Sequence, residues 1–151
     1  MKFRLLSMLI LSLFIATGAV AGKGGKNIAG TWEGTGEAMY VDGTTADITV
    51  GPVVITQEDK FVYGTVDLAY TVHQDAGDIE VTLPEPGKIS GYIKGNVLTG
   101  VFGGCSAEAP ACQGASILNG KITGKGKKIT GTVVDLSDGS VSVITLQRMS
   151  Q

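Results

Sequence analysis

Residues 88–104 read KISGYIKGNVLTGVFGG, and residues 118–134 repeat the habit in LNGKITGKGKKITGTVV. Alternate residues of a strand face opposite sides of a sheet. By that parity Ile89, Gly91, Ile93 and Gly95 share one face, while Ser90, Tyr92 and Lys94 share the other. Beyond the Gly95-Asn96 turn, Leu98, Gly100 and Phe102 align; in the second copy Leu118, Gly120, Ile122 and Gly124 align, then Ile129, Gly131 and Val133. The same phase runs through Val62, Gly64, Val66, Leu68, Tyr70 and Val72, and through Gly30, Trp32, Gly34, Gly36 and Ala38. Glycine weakens a strand, so its place among core-facing apolar residues needs a geometric reason. A sheet that must curl tightly supplies one, because a missing side chain lets the strand bend and opposite walls approach. The pattern therefore points to a closed barrel, which also removes unpaired sheet edges. A two-sheet sandwich is the competing architecture. An outer-membrane barrel would turn its apolar face outward and use strands of about 9–11 residues.

Nearly every segment beyond residue 27 alternates with a period of two, and none holds helical spacing. The expected strands are 28–40, 45–57, 60–73, 78–83, 88–95, 97–103, 114–124, 127–135 and 140–149. Between them stand turn signals such as Asp42-Gly43, Asp75-Ala76-Gly77, Gly124-Lys125-Gly126 and Asp138-Gly139. Short connections make consecutive strands antiparallel neighbours. The fold class expected is all-β, an antiparallel up-and-down barrel of eight or nine strands.

The chain opens MKFRLLSMLILSLFIATGAVAGKGG, with Lys2 and Arg4 ahead of an uncharged stretch that closes on Ala19-Val20-Ala21. That is the form of a secretory signal peptide, removed after Ala21. The apolar stretch is shorter than the roughly 20 residues of a spanning helix. The domain reading is residues 1–21 as signal peptide, 22–27 as a flexible leader and 28–151 as one barrel domain, secreted or periplasmic. Of the 12 Lys and Arg, two precede the cleavage site, leaving 10 against 14 Asp and Glu. A net acidic chain with no basic cluster beyond Lys125, Lys127 and Lys128 argues against nucleic acid as a partner. Cys105 and Cys112, in GGCSAEAPACQG, are expected to form a disulfide after export. Their spacing lacks the C-x-x-C of redox or zinc sites.

Gly30, Thr31 and Trp32 open the first strand with the chain's only Trp, and Arg148 closes the last in TLQRM. This resembles the calycin superfamily, the lipocalins and their relatives, in which a G-x-W on the first strand is covered by an Arg from the end of the barrel. The resemblance implies that Trp32 and Arg148 close the base by a cation–π contact. It further implies that the barrel interior carries a small ligand.

A ligand inside the barrel would meet the apolar phase, and the residues expected to bind it are Val66, Leu68, Tyr70, Ile89, Ile93, Leu98, Phe102 and Ile122. Val62, Leu118, Ile129 and Val133 belong to the same lining. Such a cavity suits a small apolar or amphipathic molecule, with Tyr70 offering a polar tip. The alternative is that these side chains fill a narrow barrel. A filled barrel would act through its surface, as an inhibitor, adhesion or envelope-assembly module. Its contacts would be the Cys105–Cys112 loop or the outward Phe61, Tyr63 and Tyr92, toward a protein partner or a second copy. No catalytic, metal or cofactor site is expected. His73 is the only histidine and stands without a nucleophile signature, and DLSDGS lacks the spacing of a calcium loop.

Overall fold

A computed structural model describes residues 26–82, 86–104 and 113–150. The signal-peptide reading and the Cys105–Cys112 disulfide lie outside the described residues. Nine strands follow in order: β1 (Gly30–Met39), β2 (Thr45–Glu58), β3 (Phe61–His73), β4 (Ile79–Thr82), β5 (Gly87–Lys94), β6 (Val97–Gly104), β7 (Gln113–Thr123), β8 (Lys128–Asp135) and β9 (Val141–Arg148). Every pairing is antiparallel. β1 joins β9, and β2 joins β3, so eight strands close into a barrel with β4 outside the circuit.

The sequence expected each strand to pair with the next, and β4 departs from that rule. Residues Ala69–Val72 of the long β3 pair with β4, whereas Phe61–Val66 pair with β5. β4 and β5 thus lie end to end along one side of β3. The sequence between them carries Pro84 and Pro86, which have no N–H to give to a ladder.

The repeated glycines sit where strands crowd. Gly91 faces Gly100 across β5–β6, and Gly120 faces Gly131 across β7–β8. A Cβ on Gly131 would stand 2.6 Å from the Asn119 carbonyl oxygen and 2.9 Å from Gly120 Cα. Backbone occupies the space a side chain would need, as tight curl requires. A second device works in β2, where the register to β3 shifts between Val50 and Val53. Gly51 takes φ 129°, and a Cβ there would meet Glu33 Cα at 3.0 Å. The irregularity switches parity, so Ala46, Ile48 and Val50 face inward before it, and Val53 and Ile55 after it.

The turns divide between two ends. β2–β3, β5–β6 and β7–β8 turn at the base; β1–β2, β3–β4 and β8–β9 turn at the mouth. The base is packed solid by Ile28, Trp32, Ile55, Val62, Ile93, Leu98, Ile122 and Ile129, each buried. Outward positions alternate with these and mix Glu33, Thr35, Thr56, Thr130 and Gln147 with exposed Val54, Val101, Ile117 and Val143. The fully buried apolar side chains point inward.

Candidate functional site

The N-terminal approach to β1 runs across the base and seals it. Trp32 is fully buried and its indole N–H donates to the Ile28 carbonyl at 2.9 Å. Ile28 N–H donates to the Gln57 side-chain oxygen at 2.8 Å. The Arg148 guanidinium lies 5.9 Å from the Trp32 ring centre and donates to the carbonyls of Ala29 and Asn27. Those contacts satisfy backbone groups of a chain segment that has no ladder partner of its own. Lys26 and Asn27, assigned to the leader by sequence, touch the barrel here: Lys26 Nζ donates to the Ile122 carbonyl at 3.4 Å.

Above this plug the barrel is hollow. A cavity of about 310 Å³ opens at the mouth. Its floor and walls are aliphatic and aromatic: Val53, Val66, Leu68, Ile89, Phe102, Leu118, Val133, Ile144 and Leu146. Its upper part carries the polar groups Tyr40, Tyr70, Ser116, Asp135, Asp138, Ser140 and Ser142 beside Val72 and Val81. Of the eight residues expected to bind a ligand, Val66, Leu68, Tyr70, Ile89 and Phe102 line the cavity. Ile93, Leu98 and Ile122 stand below it in the packed base. Leu118 and Val133 join the cavity, while Val62 and Ile129 join the plug.

Sequence reasoning missed the contributions of β1 and β2, namely Ala38, Tyr40, Ile48, Val50 and Val53. It also missed the polar rim, assigning Asp135 and Asp138 to turn chemistry alone. They do serve the turn: Asp135 Oδ1 accepts from Ser137 N at 2.8 Å, and Asp138 Oδ1 accepts from Ser140 N at 2.8 Å. Ser116 Oγ donates to Asp135 Oδ2 at 3.1 Å, fastening β7 to β8 at the cavity edge. The signal was parity. Asp135 continues the inward phase of Ile129 and Val133, Ser116 precedes Leu118 on it, and Tyr40 follows Trp32 and Ala38.

The rim is electrostatically one unit. Burial first, then the charge of Tyr40 once it ionises and those of Asp135 and Asp138, push the Tyr70 phenol up to about 12. Tyr40 is raised by burial first, then by Asp138, Asp135 and Asp42. Burial would raise Asp135, but hydrogen bonds from Ser137, Ser116 and the Asp138 backbone outweigh it and hold the carboxyl below its ordinary value. Near neutral pH the rim offers neutral phenols and an ionised Asp135 carboxylate. Neither phenol donates to another described residue.

The outward aromatics are engaged with their neighbours. Phe61 pairs with Tyr92 across β3–β5, Lys60 Nζ lies 5.3 Å from the Phe61 ring, and Tyr63 donates to Glu58 at 2.8 Å. On the mouth side, His73 bridges Asp47 Oδ2 at 3.3 Å and Asp78 Oδ1 at 3.0 Å. Among the described residues no group of three metal-ligating side chains converges, and no helix is long and apolar enough to cross a membrane.

No family model and no curated protein matches this chain. Among solved structures it is similar to a redesigned β-barrel, mFAP1, bound to DFHBI, at 17% identity over 80% of this chain and 94% of that one, with a TM-score of 0.48. It is also similar to mFAP0, a redesigned β-barrel bound to DFHBI, at 19% identity over 80% and 98%, with a TM-score of 0.43. What they bind is a property of those proteins.

Proposed function

We propose that this protein is a non-enzymatic carrier, lipocalin-like in plan, which is exported and holds a small apolar or amphipathic molecule in the upper half of its barrel. One observation carries the reading: the base is sealed by close packing while the mouth half keeps a cavity of about 310 Å³ lined mostly by apolar side chains. A protein whose barrel served only as a rigid support would gain stability by filling that volume, since an apolar void forfeits packing. The volume is at the low end of small-molecule sites, which fits one ligand of modest size. Arg148 over Trp32 supports the lipocalin-like plan, because it closes one end and leaves the other for entry.

Native mass spectrometry of the full-length gene product, recovered from its own host after whatever processing occurs there, tests this reading. An added mass that disappears on denaturation is the expected result. Uptake of the neutral fluorescent probe N-phenyl-1-naphthylamine by the emptied protein, abolished by Val133→Phe, would place that binding in the cavity. No added mass together with no probe uptake would overturn the carrier reading in favour of a surface-acting barrel.

A further inference from the structure

Charge is divided along the barrel axis. The three described mouth turns, 40–44, 74–78 and 136–140, carry Asp42, Asp75, Asp78 and Asp138 and hold neither Lys nor Arg. Cations outnumber acids at the opposite end, where Lys60, Lys94, Lys125, Lys127 and Arg148 stand with Glu58 and Asp59 on base turns or strand ends. A cleft with walls of one sign and low polarity focuses its field on the entrance and concentrates ions of the other sign. The cavity repeats the division within itself, from an aliphatic floor at Leu146 to Asp135 and Asp138 at the rim.

Resting on the carrier reading, we infer that the ligand is an amphipathic cation, an apolar body with an ammonium or guanidinium head placed between Asp135, Asp138 and the rings of Tyr40 and Tyr70. The turn and Ser116 use only part of the carboxylates' acceptor capacity, which is about four lone-pair sites each. The two phenol rings add faces on which a cation is attracted by the ring quadrupole. A carboxylate or phosphate head would meet carboxylates with no described cation on the cavity lining to offset them. The apolar body then lies against Leu68, Ile89, Phe102 and Leu118.

Three probes of one chain length separate the head from the body. Decylamine, decanol and decanoate, each below its micelle threshold, are titrated against N-phenyl-1-naphthylamine bound to the full-length gene product. The amine should displace the probe at about tenfold lower concentration than the alcohol, and the carboxylate should be weakest, with the amine's advantage shrinking as salt is added. Asp138→Asn and Asp135→Asn keep an acceptor for the turn and should each reduce the amine's preference over decanol several-fold. Equal displacement by all three, or a preference that survives the double substitution in a protein with native near-ultraviolet dichroism, overturns the cationic head and leaves the carrier reading standing. Failure of the probe and of all three to bind overturns both.

Discussion

The two halves of this barrel are built from the same strands and the same inward phase, yet one is full and the other empty. At the base the inward positions hold Trp32, Ile93, Leu98, Ile122 and Ile129, each almost wholly buried. At the mouth the same strands end inward on Tyr40, Ser116, Asp135 and Ser142, and the aliphatic side chains below them do not meet across the axis. Residues that pack against one another give stability; residues that leave room for something else give function at stability's expense. Substitutions should therefore be costly at the base and cheap at the mouth.

The sharpest break in that contrast comes from Trp32→Ala, which removes the largest buried side chain, its bond to Ile28 and the surface under Arg148. A loss of about 3–5 kcal/mol is expected in urea unfolding, enough to unfold a marginal domain. Gly131→Ala comes next, at about 2–3 kcal/mol, since the new methyl group would press on the Asn119 carbonyl and on Gly120. An alanine tolerated there without loss would mean that strand curl is not what the glycines serve. A matched pair of insertions follows: Ile122→Phe at the base should cost about 1–3 kcal/mol by overpacking, whereas Val133→Phe at the mouth should cost less than about 1 kcal/mol and abolish probe binding. Equal costs for the pair would show that the mouth is as tightly filled as the base.

Much of the architecture was legible because parity is a local property. Inward-phase glycines at 91, 100, 120 and 131 announced a closed barrel, and the observed strand limits fall close to those expected. Height along the barrel axis was not legible. Ile89 and Ile93 are on one face of one strand, but the first lines the cavity and the second is in the plug, and only the register to β3 and β6 decides which. The β2 contribution was hidden for another reason: the irregularity at Gly51 switches parity, so Val50 and Val53 both face inward although their spacing is odd. Gly51-Pro52 inside an apolar strand was the available signal. Asp135 was read as a turn acid rather than by phase and Ser116 was not singled out, since polar residues were left out of the inward phase.

The smallest expected effect tests whether the mouth moves independently of the base. His73 ties β2 to the β3–β4 turn through Asp47 and Asp78, and the hydrogen bonds its ring donates to Asp78 first and Asp47 second raise its pKa above 6.5, against slight desolvation. A folded pKa above the unfolded value means that the contribution is fully present below about pH 6.5 and is lost as pH rises through the higher folded value. The imidazole is partly exposed, so screening keeps the effect local. Amide hydrogen exchange, corrected for its intrinsic pH dependence, should show protection in Ile79–Thr82 falling as pH rises above about 6.5 while β7–β8 amides at the base stay unchanged. His73→Asn should remove that pH dependence. Loss of protection at both ends together would mean that the barrel opens as one unit, and that the packed base and the open mouth differ in content but not in motion.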